Sequence, residues 1–460
     1  MGVKRQKNQW GLAFSAEGRG EAPRAAGEGT ETPVAKPQSE SPAEAERLME
    51  EVVKRENLEK AYKRVKANRG SPGVDGMTVA ALGEHLKEHW PEVREGLLGG
   101  TYRPQPVRRV EIPKADGGKR RLGIPTVVDR FIQQAVLQVL QKRLDPTFSE
   151  HSYGFRPGRS AHQAVAQAQA YIAAGCGIVV DLDLEKFFDR VNHDVLMGLL
   201  AKRVEDQRVL KLIRAYLDAG ALEDGLVSPR EEGTPQGGPL SPLLSNVVLD
   251  VLDRELERRS LRFVRYADDC NVYVRSERAG RRVMEGVKRF IAKRLKLKVN
   301  EAKSAVDRPQ RRKFLGFSFT SEAAPKRRIA PQAVQRFKER VREVTRRTRK
   351  GLEGTIEELT RYLKGWVGYF GYCQTRSVLR ELDSWIRRRL RRLAWRYWKR
   401  GKTRYRELLR RGVGRELAAQ TAGSAKGPWR LAKSPALSLA LPNAYLKSLG
   451  LPNLSAHCAV

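Results

Sequence analysis

The most informative segment of this 460-residue chain is Phe263-Val264-Arg265-Tyr266-Ala267-Asp268-Asp269-Cys270-Asn271-Val272-Tyr273-Val274. Its ends, 263–266 and 272–274, are rich in β-branched and aromatic residues, which predicts two short strands. The connection between them holds two adjacent carboxylates, Asp268 and Asp269. Like charges in a tight turn beside apolar strands cost free energy unless a cation neutralises them. An ordinary turn is the alternative interpretation, because Asp is favoured in turns.

A second apolar run, Ile178-Val179-Val180-Asp181-Leu182-Asp183, also predicts a short strand that ends in carboxylates. Alternation along a strand puts Asp181 and Asp183 on the same face. Carboxylates gathered at adjacent strand ends form a set of hard oxygen ligands, which suits Mg²⁺. The two runs together therefore predict a divalent-metal site.

The composition indicates a polyanionic partner. The chain has 89 Lys and Arg against 53 Asp and Glu, a net charge of +36, and 40% hydrophobic residues, enough for most of it to fold. Such an excess favours nucleic acid over an anionic membrane. We expect no transmembrane helix, because no apolar run reaches 18 residues. Four cysteines far apart, with no C-x-x-C, argue against a disulfide scaffold or a cysteine zinc site and fit a reduced intracellular compartment.

Changes in composition and hydrophobic pattern along the chain predict four regions. Residues 1–42 are rich in Gly, Glu, Ala, Pro and Ser and are expected to form a disordered leader. Residues 43–325 carry the predicted strands, and no strand is expected after Pro325. This region also has helical patterns from near Ala43 to Val65, over Ala161 to Ala173 and from about Asp194 to Leu217, and Asp116-Gly117-Gly118 predicts a hairpin turn. Residues 326–400 are expected to form a helical domain, and 401–460 a small basic region. Within 326–411 there are 28 Lys and Arg against 8 Asp and Glu, which predicts amphipathic helices with one cationic face.

Two motifs resemble those of reverse transcriptases. Tyr266-Ala267-Asp268-Asp269 resembles their Y-x-D-D motif, and Asp183-Leu184-Glu185-Lys186-Phe187-Phe188 resembles their first catalytic motif. The resemblance implies that Asp183, Asp268 and Asp269 bind two Mg²⁺ ions. It also implies that Phe188 packs under the sugar of the incoming nucleotide and excludes a 2′-hydroxyl. Asp181 falls outside this register and is expected only to support the site.

Further segments resemble the nucleotide-binding parts of group II intron reverse transcriptases. The run 233–242, Gly-Thr-Pro-Gln-Gly-Gly-Pro-Leu-Ser-Pro, resembles their P-Q-G loop, and 112–125 resembles the fingers hairpin that clamps the triphosphate. Arg121 is an alternative to Arg120 in that hairpin. The resemblance implies that the nucleotide is bound by Lys114, Arg120, Phe188, Gln236, Gly237 and Lys303.

Other segments resemble RNA- and primer-binding parts of the same family. The block 151–160 mixes aromatic residues with Arg, as expected where bases stack and phosphates pair. Phe314-Leu315-Gly316-Phe317 resembles the hairpin that grips the primer, and 363–370 resembles the thumb, or maturase, domain. The tail around 426–430 resembles a small DNA-binding region, and no His-Asn-His endonuclease cluster is found. The implied contacts with RNA or primer are Arg156, Phe314, Gly316, Trp366, Tyr369, Arg387, Arg388 and Arg389.

These resemblances predict an α+β fold, a right-hand polymerase with fingers, an antiparallel-sheet palm and a basic α-helical thumb. The implied activity is RNA-directed DNA polymerisation, with binding of a group II intron RNA to assist splicing and mobility. The expected partners are intron RNA, a DNA target or primer and dNTPs, with no membrane and no obligatory protein partner. The expected location is the bacterial cytoplasm, near the nucleoid. Alternatives are a splicing-only maturase, a diversity-generating or CRISPR-associated reverse transcriptase and, more distantly, an RNA-dependent RNA polymerase.

Overall fold

The structure is a computed structural model. It describes residues 47–113, 119–223, 226–228, 232–234, 237–346 and 350–457. The chain divides into two compact units. The first comprises Met1–Gly158, Asp183–Ser260 and Glu285–Glu301, and the second comprises Arg159–Leu182, Leu261–Met284 and Ala302–Val460.

The α-helices of the described residues follow one another along most of the chain. They are α1 (Leu48–Val52), α2 (Arg55–Asn68), α3 (Leu82–Leu98), α4 (Val127–Leu144), α5 (Ala161–Ala173), α6 (Phe187–Arg190), α7 (His193–Ala201), α8 (Gln207–Asp218), α9 (Ser241–Arg258), α10 (Glu277–Phe290), α11 (Pro331–Val344), α12 (Gly351–Phe370), α13 (Arg376–Tyr397), α14 (Gly401–Arg410), α15 (Arg415–Ala422), α16 (Pro428–Leu431), α17 (Pro435–Ala440) and α18 (Asn443–Ser448). Short 3₁₀ turns span Asp145–Thr147 and Leu454–His457, and a π-helical turn spans Ile291–Leu295.

The strands form three sheets, each within one unit. They are β1 (Val107–Pro113), β2 (Lys119–Ile124), β3 (Ile178–Leu182), β4 (Ala221–Glu223), β5 (Leu226–Ser228), β6 (Arg262–Tyr266), β7 (Asp269–Val274), β8 (Ala305–Asp307), β9 (Phe317–Phe319) and β10 (Arg327–Ile329). The first unit holds a sheet of order β2-β1-β4-β5, in which only β1 and β4 are parallel. The second unit holds the antiparallel sheet β6-β7-β3-β8 and the antiparallel pair β9-β10.

A buried carboxylate fixes the base of the β1–β2 hairpin in the first unit. Asp129, near the start of α4, accepts hydrogen bonds from the Tyr102 hydroxyl at 2.9 Å, the Thr126 hydroxyl at 2.7 Å and the Gln105 amide at 3.2 Å. Burial raises the pKa of Asp129, and these donors act against that rise. Thr126 also caps α4 by accepting from the Asp129 amide. The network therefore ties the chain entering β1 to the first turn of α4.

The central sheet of the second unit is covered by α10. Gly280 of that helix lies so close to β3 and β8 that an added Cβ would be 2.6 Å from Val306 Cγ1 and 3.3 Å from Ile178 Cγ2. Val179 and Val180 of β3 are buried. The apolar strands predicted from 178–183 and 263–274 are therefore confirmed, and they form the core of this sheet.

The remainder of the second unit is helical. Helices α13 to α17 enclose an apolar cluster that includes Trp395, Trp398, Leu408 and Leu437. The buried Asp383 of α13 accepts hydrogen bonds from the amides of Leu454 and Ser455, so the end of the described chain is tied to that helix. No helix in the part of the chain that the structure describes could span a bilayer.

The structure corrects three expectations. The helix expected from Ala43 to 65 ends at Val52 and restarts at Arg55, and the helix expected over 194–217 is divided into α7 and α8. Strand β10 follows Pro325, where no strand was expected; three residues are too few to show a period-two pattern. The predicted leader, 1–42, and the turn at 116–118 lie outside the described residues, and the predicted domain boundaries stay predictions.

Replacing Gly280 by Ala should destabilise the second unit. The added methyl group would force Val306 or α10 to move, and overpacking of this kind costs about 1–3 kcal/mol. Urea denaturation followed by circular dichroism measures the change in the free energy of unfolding.

Gly198→Ala is the matched control. Gly198 lies inside α7 with no atom within 4 Å of an added Cβ. Alanine should therefore stabilise that helix by up to about 1 kcal/mol. Stability changes of the same sign in both variants would contradict the packing described for Gly280.

Candidate active site

The Y-x-D-D motif forms the connection of a β-hairpin. Tyr266, the last residue of β6, pairs with Asp269, the first residue of β7, so Ala267 and Asp268 make the turn. Ala267 has a left-handed backbone, with φ of 56°. The Asp268 side chain is half-buried and Asp269 is exposed. Both carboxylates therefore lie at the end of the hairpin, as the sequence predicted.

A buried guanidinium supports this turn from within the sheet. Arg265 is fully buried, and its Nη1 donates to the Ala267 carbonyl oxygen at 2.9 Å. A buried cation is costly unless hydrogen bonds and anions compensate it. Here the cation fixes the left-handed residue that precedes Asp268. No local pattern signals this role, because an Arg inside a strand usually points to solvent.

Strand β3 lies beside the hairpin and ends at the other predicted carboxylate. Leu182, the last residue of β3, pairs with Cys270, which directly follows Asp269. Asp183 is the next residue of the chain. Because consecutive Cα atoms are about 3.8 Å apart, this register limits how far Asp183 can lie from the hairpin end.

Asp181 is already neutralised by a cation of its own unit. Its Oδ2 accepts from Arg312 Nη2 at 2.6 Å and from Arg312 Nε at 2.9 Å. Arg312 also donates to the Lys303 carbonyl oxygen at 2.6 Å, and the Lys303 side chain is exposed. This ion pair explains how Asp181 can lie in the sheet without a metal. It also fixes the backbone of Lys303.

The segment after Asp183 is held by the 298–300 stretch of the first unit. The Asp183 carbonyl oxygen accepts from the Asn300 amide at 2.8 Å, and Leu184 pairs with Val299. Lys186 has a left-handed backbone and precedes α6. Phe188, in that helix, is half-buried and meets the buried Phe187 edge-to-face at 5.2 Å. Its neighbours therefore restrict the orientation of the Phe188 ring.

The glycine-rich loop is anchored to the same segment. The Thr234 amide donates to the Phe188 carbonyl oxygen at 2.7 Å. A Cβ on Gly233 would lie 2.8 Å from the Asp189 backbone, and one on Gly237 would lie 2.7 Å from the Gly123 carbonyl oxygen of β2. Both glycines have positive φ. The loop thus makes close backbone contacts with α6 and β2, which a side chain at either glycine would prevent.

Three predicted nucleotide contacts cannot be placed. Lys114 and Gln236 lie outside the described residues, and Arg120 belongs to β2 but its side chain is likewise outside them. Within the described residues, no three or more His, Cys, Asp or Glu side chains are grouped so that they could hold one metal ion. The two-magnesium site therefore stays a prediction.

The predicted primer-gripping turn is a tight hairpin linked to α12. Phe314 pairs with Phe317, and the two residues between them, Leu315 and Gly316, both have positive φ, 51° and 82°. The Tyr369 hydroxyl donates to the Leu315 carbonyl oxygen at 2.8 Å. Left-handed Leu costs about 1–2 kcal/mol. The bond from Tyr369 helps to hold this strained conformation.

Two aromatic residues predicted to contact RNA or primer are packed inside the second unit. Phe314 is buried, and Trp366 is only 9% exposed. Trp366 packs against Phe337 at a centroid distance of 4.3 Å and against Phe370 at 4.8 Å. The structure therefore gives both Phe314 and Trp366 core positions, and their contact with nucleic acid stays a prediction.

Arg156 is also an internal residue. Its side chain is 5% exposed. Its five N–H groups donate to the Asp145 carboxylate and to the carbonyl oxygens of Asp145, Ser149 and Ser152. All five donors are thus used within the protein, and the contact between Arg156 and RNA stays a prediction.

The three arginines of α13 have different environments. Arg389 is buried and donates to the Thr345 hydroxyl at 2.8 Å, beside the end of α11, and burial lowers its pKa to about 10. Arg388 lies 4.0 Å above the Trp429 ring and donates to the Trp429 carbonyl oxygen. Arg387 is half-exposed. Of the three, Arg389 alone is buried, and the contacts of all three with RNA stay predictions.

Comparison with known proteins agrees with this geometry. Residues 112–319 match the family model described as reverse transcriptase (RNA-dependent DNA polymerase), so the hairpin, β3 and the glycine-rich loop belong to a reverse transcriptase domain. Residues 334–412 match the model described as group II intron, maturase-specific domain. The chain therefore carries a reverse transcriptase domain followed by a group II intron maturase-specific domain.

Parts of the chain are similar to known proteins. Protein YkfC of Escherichia coli (strain K12) is 38% identical over 223 residues, which is 47% of this chain and 58% of YkfC. Group II intron-encoded protein LtrA of Lactococcus lactis subsp. cremoris is 37% identical over 206 residues, which is 45% of this chain and 34% of LtrA. The chain thus spans about half of YkfC and a third of LtrA. A chain of the partial Cas6-RT-Cas1–Cas2 complex matches with a TM-score of 0.36 and 22% identity, over 54% of this chain and 43% of that chain.

Replacing Tyr369 by Phe should destabilise the turn between Phe314 and Phe317. The variant loses one hydrogen bond to Leu315, which contributes about 0.5–1.5 kcal/mol. Burial raises the pKa of Tyr369 to about 12, so the hydroxyl stays a donor at neutral pH. The stability difference from wild type should therefore be constant between pH 6 and pH 9 and shrink only as the pH rises above about 10. Urea denaturation at several pH values measures it.

Tyr372→Phe is the matched control for this hydroxyl. The Tyr372 ring stacks on His162 at 4.5 Å and lies under Arg327, and phenylalanine keeps a ring of the same shape. We expect a smaller loss of stability than in Tyr369→Phe. An equal loss in both variants would contradict a specific role for the bond to Leu315.

Proposed function

We propose that this protein is an RNA-directed DNA polymerase that also binds a group II intron RNA and assists its splicing. One observation carries the polymerase proposal. The Asp268-Asp269 turn ends an antiparallel hairpin whose Cys270 pairs with Leu182, the residue before Asp183, within a matched reverse transcriptase domain. This is the arrangement by which distant carboxylates can share a pair of metal ions.

The donor chemistry fits magnesium. Asp183, Asp268 and Asp269 offer carboxylate oxygens, and none of these three side chains is fully buried. Two bound Mg²⁺ ions would supply activation of the primer 3′-hydroxyl and charge neutralisation at the triphosphate. Asp181 has Arg312 as its cation. We therefore assign metal binding to the three aspartates alone.

Phe188 and the glycine-rich loop would select the nucleotide. The Phe188 backbone is tied to Thr234, and its ring packs on Phe187. We assign to that ring the exclusion of a ribose 2′-hydroxyl, which favours dNTPs over rNTPs. Gly237, Gln236, Lys114, Arg120 and Lys303 complete the proposed nucleotide site on the basis of their motifs.

The maturase match supports the RNA-binding role. Residues 334–412 carry it, and 326–411 hold a cationic excess of 20. Charge of one sign at that density repels itself and attracts a polyanion. RNA binding needs no catalytic aspartate, so a splicing-only maturase is the alternative function. We further propose 43–325 as fingers and palm, 326–400 as the thumb and 401–460 as a DNA-binding region.

Replacing Asp268 by Asn should abolish polymerisation. The amide removes a negative charge and one metal-ligating oxygen while conserving the size of the side chain. We expect dNTP incorporation on an RNA template with a DNA primer to fall by at least about a thousandfold, equivalent to about 4 kcal/mol. Binding of the same primer–template, measured by fluorescence anisotropy, should stay within a factor of about two.

Asp181→Asn tests whether the effect is specific to the proposed metal ligands. Asp181 lies in the same sheet but is paired with Arg312. This variant should keep most of its polymerase activity. Normal activity in Asp268→Asn, or equal losses in both variants, would refute the assignment of the active site.

Replacing Arg387 by Gln should weaken RNA binding without loss of stability. Arg387 is half-exposed on α13, so the change removes one phosphate contact and lowers the salt dependence of the affinity by about one unit of slope. Filter binding of a group II intron RNA at several salt concentrations measures both quantities.

Arg389→Gln should have the opposite pattern. The buried Arg389 guanidinium donates to Thr345. Its loss should lower the free energy of unfolding by about 1.5–3 kcal/mol. RNA affinity per folded molecule should be kept. An unchanged salt slope in Arg387→Gln would remove this face of α13 from the RNA-binding surface.

A further inference from the structure

Phe155 is an exposed aromatic residue in a strained backbone. Its side chain is 47% exposed. Its φ is +59°, in the left-handed region that bulky residues rarely adopt. A glycine would adopt this conformation without strain. The chain therefore keeps a large apolar ring at the surface, although the backbone conformation there is unfavourable for a residue with a large side chain.

Buried hydrogen bonds on both sides impose this conformation. The Gly154 carbonyl oxygen accepts from the Nδ2 atom of Asn246, a buried residue of α9, at 2.9 Å. On the other side, all five N–H groups of Arg156 are bonded within the protein. Since both neighbours are fixed, the Phe155 backbone cannot relax independently. Strain that its surroundings impose in this way is typical of binding sites.

We infer that Phe155 is a stacking contact for an unpaired nucleobase of the bound nucleic acid. A phenyl ring presents a π-face that stacks on any base, and exposed aromatics beside cationic surfaces are the usual platforms for single strands. Bases inside a duplex already have both faces stacked, so only an unpaired base offers a free face. The net charge of +36 favours nucleic acid over a protein at this position.

The inference rests on the proposed function and changes the role expected of this block. The sequence predicted Arg156 as the contact with nucleic acid. In the structure, Arg156 instead holds the turn from which Phe155 projects. Arg156 is thus a positioning residue. The base in question belongs either to the template ahead of the primer end or to a loop of a folded RNA.

The test measures whether the effect of the Phe155 ring on binding affinity depends on the presence of the base, which is called coupling below. Wild type and Phe155→Ala are titrated, without dNTPs, with a primer–template that carries a single-stranded overhang of about ten nucleotides, either normal or abasic. Wild type should bind the abasic overhang on the order of tenfold more weakly than the normal one. Phe155→Ala should bind both equally, at the affinity of wild type for the abasic overhang.

A hairpin RNA with normal or abasic loop nucleotides, titrated in parallel, distinguishes the two sources of the base. If coupling is seen only with the overhang, Phe155 contacts a template base. If it is seen only with the hairpin loop, Phe155 contacts a base of folded RNA. Equal sensitivity of wild type and Phe155→Ala to abasic nucleotides in both substrates would overturn the inference, as expected if Phe155 instead contacts a protein. Because binding is measured without catalysis, failure of the Asp268→Asn experiment leaves this result interpretable.

Two further variants separate stacking from folding. Phe155→Trp should bind the normal overhang at least as well as wild type. Phe155→Gly should bind as weakly as Phe155→Ala but melt about 2–4 °C higher than it, because glycine removes the left-handed strain that a Cβ retains. A lower melting temperature for Phe155→Gly than for Phe155→Ala would contradict the role assigned to Phe155.

Discussion

The antiparallel register between β3 and β7, with Leu182 opposite Cys270, is the constraint on which the candidate site depends. Apart from Asp181, which Arg312 neutralises, β3 is apolar up to this pair, and carboxylates lie immediately beyond it. Burying those carboxylates would cost several kcal/mol each, whereas burying the valines before them is favourable. The change from apolar residues to carboxylates therefore fixes where the strands end. A slip by one residue would exchange the buried and exposed faces of β3.

Internal arginines complete this arrangement. Arg265 lies under the Asp268-Asp269 turn, Arg312 neutralises Asp181, and Arg156 and Arg389 hold loop and helix ends. Guanidinium suits these positions because its planar set of donors satisfies several carbonyl and carboxylate oxygens at once. A strongly basic chain thus places part of its cationic charge inside the fold, and the charge available to RNA is smaller than the composition implies.

Local patterns predicted the strands, the Asp268-Asp269 turn and helix α5, because alternation and apolar spacing act over a few residues. They could not predict which arginines are internal. Arg387, Arg388 and Arg389 are consecutive residues of the same type, and only contacts with distant segments distinguish them: Arg389 with the end of α11, and Arg388 with Trp429. The bond from Tyr369 to Leu315 spans 54 residues and gives no local signal. Contacts between distant segments decide these roles.

Backbone strain provides a second way to recognise functional segments. Among the described residues, seven non-glycine residues have positive φ, and four of them, Phe155, Lys186, Ala267 and Leu315, fall inside the quoted motifs. Glycine would relieve the strain at each position. A Cβ is tolerated at Ala267 and Leu315 because hydrogen bonds from Arg265 and Tyr369 hold the adjacent carbonyl groups. At Phe155 the hydrogen bonds belong to the neighbouring residues, and the ring itself remains exposed. We attribute the strain there to what the ring contacts outside the chain, since among the described residues no comparable hydrogen bond to Phe155 itself offsets it.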